Sequence, residues 1–119
     1  MTVAFTLEGM RIRGNVIPRN RLISIWNRLT TKPFPKVAAF QLEERDFEHI
    51  LQLRRCREDE LREVQEWGRM LPVKGTDACV LNAEGFVDLD YVIFIRENPY
   101  HALDKILEHE LSHIANGDL

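Results

Sequence analysis

The chain has 119 residues, of which 45% are hydrophobic and 29% are charged, and its formal net charge is -3. This length and composition favour one globular domain over residues 1–119 and leave no room for a second independent domain. The acidic balance argues against a sequence-independent nucleic-acid binder, because such proteins need a basic surface to displace counterions from phosphates. We therefore expect no nucleic-acid partner.

Neither the cysteines nor the apolar runs indicate secretion or membrane insertion. Cys56 and Cys79 lie far apart without metal-ligand spacing, so both are expected to be free thiols in a reducing compartment. The longest strongly apolar run, residues 91–95, is much shorter than the roughly 20 residues that span a bilayer. Since no secretory signal pattern is found, the predicted location is the cytoplasm, with no membrane span in this chain.

Residues 2–42 show first a period-two pattern and then a helical one. Apolar residues alternate on both sides of the turn at Glu8-Gly9, which predicts a hairpin (Val3, Phe5, Leu7, Met10 and Ile12). After Pro18, Asn20 is a candidate N-cap for a helix with apolar residues at helical spacing (Leu22, Ile25, Trp26 and Leu29). The prolines at 33 and 35 end that helix, and a short strand is predicted over residues 37–42.

The middle of the chain combines charged helical patterns with apolar strand patterns. One one-sided helix is predicted around Phe47 and Ile50, and another over residues 61–71, which Pro72 ends. Strands are predicted over residues 78–81, 86–89 and 91–95. The last of these strands is apolar enough to be buried.

The final predicted helix is the one with the clearest signals at its ends. Asn98 has a capping side chain, and Pro99 suits the first helical position. Asn116-Gly117 is a typical helix stop. We therefore predict a helix from residue 98 to residue 116 that directly follows the apolar strand.

This helix contains His109-Glu110-Leu111-Ser112-His113, a pattern that arises by chance in roughly one per cent of sequences with this composition. At about 100° per residue, the two histidines point the same way, so both imidazoles can bind one metal ion. Glu110 lies one step round the helix, where it can take a proton from metal-bound water. The histidines fall on the boundary between the apolar and charged faces, where the floor of a cleft is expected.

The segment HELSHIANGDL, residues 109–119, closely resembles the active-site segment of HtpX-like membrane metallopeptidases and of their soluble relatives, the minigluzincins. The similarity continues through Asn116-Gly117-Asp118 and, more weakly, into the preceding strand. It implies an α+β, zincin-like fold of the gluzincin type, a small mixed sheet packed on helices with a C-terminal active-site helix. It also implies zinc-dependent hydrolysis of a peptide or protein substrate, with Zn²⁺ bound by His109 and His113 and with Glu110 as catalytic base.

The resemblance further implies where the substrate binds. In zincins the strand before the active-site helix forms the upper rim of the cleft and pairs with an extended peptide. The candidate edge strand here consists of Tyr91, Val92, Ile93, Phe94, Ile95 and Arg96. A plain interior strand fits the same apolar composition equally well.

Catalytic zinc takes three protein ligands and a water molecule, and the motif supplies two of them. In gluzincins the third is a glutamate on a later helix, whereas this sequence ends six residues after His113. Three explanations stay open: a ligand beyond Leu119 in a longer protein, a ligand within the chain, or a metal-poor relative. Asp118 is the nearest internal candidate, although the resemblance favours a structural role for it. The other internal candidates are Glu48, Glu60, His49 and His101, of which the histidines are more typical of surface residues.

The function that we expect is zinc-dependent peptide-bond hydrolysis, with Tyr91, Tyr100 and Arg96 as candidates to stabilise the oxyanion. The first alternative is an inactive zincin-like module that binds an extended peptide without turnover. The second is a latent protease in which the upstream region, including charged helices over residues 45–69, packs over the cleft.

Overall fold

The structure is a computed structural model that describes residues 2–7, 10–53, 77–82 and 89–117. Within these ranges lie β1 (Thr2–Leu7), β2 (Met10–Val16), α1 (Arg19–Leu29), β3 (Val37–Leu42), α2 (Glu44–Leu53), β4 (Ala78–Asn82), β5 (Tyr91–Arg96) and α3 (Leu103–Asn116). The predicted hairpin, first helix and strand over residues 37–42 are confirmed. Several predictions concern parts of the chain outside the described residues. They are the helix over residues 61–71, the strand over residues 86–89, and the predicted roles of Cys56, Glu60 and Asp118.

The five strands form one mixed sheet in the order β1-β2-β3-β5-β4. β5 is an interior strand, because it pairs with β3 in parallel and with β4 in the antiparallel sense. The prediction that Tyr91–Arg96 is an edge strand is therefore wrong, and the interior alternative is correct. An unbroken apolar run suits a strand that has neighbours on both sides and helices on both faces.

Alternate side chains of β5 belong to two separate cores, one on each face of the sheet. Ile93 and Ile95 pack against α1 and α3, whereas Val92 and Phe94 pack against α2. Large, fully enclosed side chains fill both cores: Trp26, Leu107 and Leu111 in the first, and Ile12, Phe47 and Ile50 in the second. The architecture is thus a small mixed α/β fold with the sheet between two helical layers.

The predicted N-cap of the first helix is wrong. α1 begins at Arg19, with Pro18 as its flanking residue, and no side chain caps it. The carbonyl oxygen of Pro18 instead accepts the N–H groups of Arg21 and Leu22, at 3.1 and 3.4 Å. The fixed φ of proline holds that carbonyl in place, so the helix starts before Asn20.

The predicted start of the last helix is also wrong, because α3 begins at Leu103 and not after Asn98. The buried carboxylate of Asp77 accepts the N–H of Tyr100 at 2.8 Å and the N–H of His101 at 3.0 Å. These two bonds hold the segment between β5 and α3 as a loop. The helix begins where that loop ends.

α3 runs antiparallel to β5 and in the same direction as β4. The residues just before α3 are bound to Asp77, which precedes β4. The end of α3 lies beside the loop that leads into β3, because Lys32 of that loop contacts Ala115. α3 therefore crosses one face of the sheet and contacts β4 along the way. Of the helices described, none has the length and apolar character needed to cross a membrane.

Candidate metal site

His109 and His113 converge on the solvent boundary of α3. Their Nε2 atoms are 3.1 Å apart, and the planes of the two imidazole rings are inclined at 85°. His109 is exposed and His113 is half-buried, so the pair lies where the sequence pattern predicts. The two Nε2 atoms are therefore within hydrogen-bond distance of each other at the edge of the helix.

This geometry fits two ligands of one zinc ion. Two nitrogen ligands of tetrahedral zinc, each about 2.0–2.1 Å from the metal, lie about 3.3–3.4 Å apart. The observed separation of 3.1 Å between the Nε2 atoms is within a few tenths of an ångström of that value. The separation is therefore compatible with two nitrogens that bind one ion.

Glu110 is a charged residue on the buried side of α3. Its exposed fraction is only 7%, and Leu107 and Ile114 are buried on the same face. At about 100° per residue, Glu110 adjoins the histidine pair on the side that faces the sheet. Glu110 is thus sheltered from bulk solvent on the side of the helix next to the histidine pair.

The last turn of α3 is closed by a glycine. Gly117 adopts a left-handed conformation with φ of 70°, and its N–H donates to the carbonyl of Ile114 at 3.2 Å. This conformation ends the helix at the predicted stop and suits a residue without a Cβ atom. His113 therefore lies in a closed terminal turn.

Of the upstream residues considered as a third ligand, the three that the structure describes do not join the histidine pair. Glu48 and His49 are on α2, which packs on the opposite face of the sheet, and Glu48 binds Arg96 at 3.2 Å. His101 precedes α3 and places Nδ1 2.6 Å from an oxygen of Asp77. Among the described residues, no group of three or more His, Cys, Asp or Glu side chains is arranged to hold a metal ion.

Of the three oxyanion candidates, two are engaged elsewhere. The guanidinium of Arg96 lies between the rings of Phe47 and Tyr100, 5.1 Å from each ring centroid, on the α2 side of the sheet. Tyr91 instead packs, half-buried, against the core that α3 helps to form. It lies at the beginning of β5, beside the end of α3 that carries His113. Tyr91 is therefore the oxyanion candidate that lies on the same face of the sheet as α3.

Two residues that organise α3 were not identified from the sequence. Asp77 binds two residues of the loop before α3 that lie 23 and 24 positions later in the sequence. Lys32 binds Ala115, which lies 83 positions later in the sequence. A lone aspartate before a strand and a lysine in a proline-rich loop carry no local signal of such contacts. The comparisons do not add a precedent, because no family model, curated protein or solved structure matches this chain.

Proposed function

We propose that this chain is a zinc-dependent peptide hydrolase of zincin type, whose site is built on α3. The observation that carries the proposal is the convergence of the His109 and His113 Nε2 atoms, 3.1 Å apart, beside the buried Glu110. The resemblance of residues 109–119 to metallopeptidase active sites supports the same function.

In this proposal the two imidazoles hold the metal through Nε2, and the third ligand comes from outside the described residues. Zn²⁺ bound there would polarise the carbonyl of the substrate, and it would also make a bound water molecule ionise near neutral pH. The Glu110 carboxylate accepts the proton as the water attacks the peptide carbonyl, and then donates it to the leaving amine. The Tyr91 hydroxyl is our candidate to donate a hydrogen bond to the oxyanion.

The sheet topology supports β4 as the strand that binds substrate, in place of β5. Among the described strands, β4 is at the end of the sheet and has β5 as its neighbour on one side. It also runs alongside α3 and contacts it. An extended peptide added to the outer edge of β4 would therefore pass the histidine pair, with main-chain hydrogen bonds supplying affinity.

The substitution Glu110→Gln tests the proposed base. The variant should retain zinc at the wild-type stoichiometry, because the two imidazoles are unchanged, and should lose at least about a hundredfold in peptide-cleavage rate. Elemental analysis and cleavage of a peptide library provide the two measurements. Glu108→Gln is the matched control, since Glu108 is exposed on the same helix. Equal cleavage by the Glu110→Gln variant and the wild type would contradict the assignment of Glu110 as the base.

A peptide-binding module without turnover is the second candidate function. It is favoured by one observation, namely that the described residues provide two metal ligands and no group of three. The two functions are distinguished by measuring zinc content, peptide binding and peptide cleavage in protein that is purified without chelator and then supplied with zinc. Near-stoichiometric zinc together with cleavage supports the hydrolase, whereas peptide binding without zinc supports the module.

A further inference from the structure

We propose that Lys32 is a positioning residue for the His109–His113 pair. Its ammonium group caps the carbonyl of Ala115, and this contact holds the last turn of α3 in the conformation in which the two Nε2 atoms converge. The inference concerns the geometry of the pair, and its consequence for metal binding rests on the proposed function.

The contact supplies a hydrogen-bond donor that the helix cannot provide for itself. α3 ends at Asn116, and the N–H of Gly117 is directed at the carbonyls of His113 and Ile114. The carbonyl of Ala115 is one of the last four of the helix, which have no partner within it. Lys32 Nζ donates to this carbonyl at 2.6 Å, and its positive charge also suits the negative end of the helix dipole.

Lys32 is itself held by a rigid anchor. The indole N–H of Trp26 donates to the carbonyl oxygen of Lys32 at 2.8 Å, and Trp26 is buried in the core between α1 and α3. Its ring meets Phe34 edge to face, with the centroids 5.8 Å apart. The backbone of Lys32 is therefore held against the core that α3 helps to form, within reach of Ala115.

The last turn matters because it carries His113. Helices fray from their ends, and His113 lies two residues before Ala115, whereas His109 lies one turn further from the end. Metal ligands must meet their ion within about 0.2 Å of ideal distances. Fraying of the last turn would displace His113 relative to His109 and break the convergence, while the rest of the helix remained packed.

A second contact between the same parts of the fold offers a matched control. Arg21 Nη2 binds Asp104 Oδ1 at 2.6 Å and so joins α1 to the first turn of α3. This pair is exposed, and it lies more than one turn before His109. Loss of the Arg21 contact should therefore loosen the beginning of α3 without disturbing the histidine pair.

The first experiment needs no metal. The Lys32→Met variant retains the aliphatic stem and removes the donor, so amide exchange at residues 113–117 should accelerate about tenfold and the ring resonances of His113 should shift. The Arg21→Met variant should leave both observables as in the wild type. Lys32→Ala, which also lacks the donor, replaces Lys32→Met if the latter is not recovered folded. Unchanged His113 resonances and unchanged exchange in the variant would overturn the proposal.

The second experiment measures metal affinity by titration with Co²⁺, read from its visible absorption. We expect Lys32→Met to weaken Co²⁺ binding about tenfold, the lower end of the loss typical for residues that orient metal ligands. Lys32→Arg keeps a cationic donor and should retain most of the affinity, as should Arg21→Met. Equal affinity in Lys32→Met and wild type would contradict the positioning role. If the wild type binds no Co²⁺, the proposed function fails, and the exchange and resonance measurements still decide the role of Lys32.

Discussion

Gly14 leaves no room for a side chain between β2 and β3. A Cβ atom at this position would lie 2.9 Å from Leu42 Cδ2 and 3.0 Å from Phe40 Cβ. Leu42 is fully buried in the core beneath α2, so it cannot move aside without disturbing that core. The position requires glycine for space, since even one methyl group would overpack the strand pair.

The substitution Gly14→Ala should therefore lower the free energy of unfolding by about 1–3 kcal/mol, the usual penalty for overpacking. Urea denaturation of the purified protein measures the change. Ala4→Val is the control, because Ala4 is exposed on β1 and the added methyl groups meet solvent. The control should change stability by less than about 0.5 kcal/mol. Equal stability of Gly14→Ala and wild type would show that β2 can shift freely.

At the scale of elements, the two ends of the sheet are not equivalent. β4 runs alongside α3 and contacts it, whereas β1 is the strand farthest from β4 in the sheet order. A peptide added to β4 would be near the histidine pair, and a peptide added to β1 would not. If the proposed hydrolase function is correct, the position of an edge relative to α3 decides which strand presents a substrate for cleavage.

If β4 binds substrate by strand addition, a bound peptide should slow amide hydrogen exchange in Ala78–Asn82 and leave Thr2–Leu7 unchanged. The measurement uses the Glu110→Gln variant, so that the peptide is not cleaved. β1 serves as the internal control, because it is also at an end of the sheet. Protection confined to β1 would contradict the assignment of β4.

Much of the element pattern could be predicted from the sequence, because it depends on local periodicity. The alternation of Val3, Phe5 and Leu7 predicted the hairpin, and the helical spacing of Leu22, Ile25 and Trp26 predicted α1. The motif on α3 also placed both histidines at the edge of its apolar face. Each of these features needs only neighbours within about two turns or one strand.

The features that the sequence left open or misplaced depend on distant residues. β5 is interior because Val37 pairs with Tyr91, which is 54 positions away. The start of α3 was misplaced because the amides of Tyr100 and His101 are bound by Asp77. No local pattern near Asn98 reports that carboxylate, so its capping signal was misleading. Long-range pairing and loop hydrogen bonds therefore limit what periodicity alone can predict.

For the whole molecule, a metal that binds only the folded state should stabilise the fold. At a free zinc concentration of 100 times Kd, the added stability is about 2.7 kcal/mol. Wild-type protein should therefore unfold at a higher temperature with zinc than with chelator, and His109→Gln should lose most of this shift. Thermal unfolding followed by circular dichroism measures the shifts.

The control for this prediction is His101→Gln. His101 lies outside α3 and contacts Asp77, so its loss should lower stability without removing a metal ligand. In His101→Gln, the increase in unfolding temperature on adding zinc should match that of the wild type, although the unfolding temperature itself should be lower. An equal loss of the shift in the His101 and His109 variants would exclude specific binding at the histidine pair.

The bond network of Asp77 also has a mechanical consequence. Because Asp77 precedes β4 and binds the residues just before α3, the strand and the helix are pinned together at their common beginning. Lys32 holds the other end of α3 through Ala115, so the helix is tied at both ends, and a motion that separates it from β4 must break one of these contacts. If the proposed function is correct, an extended peptide would therefore meet a helix whose two ends are already fixed relative to the core.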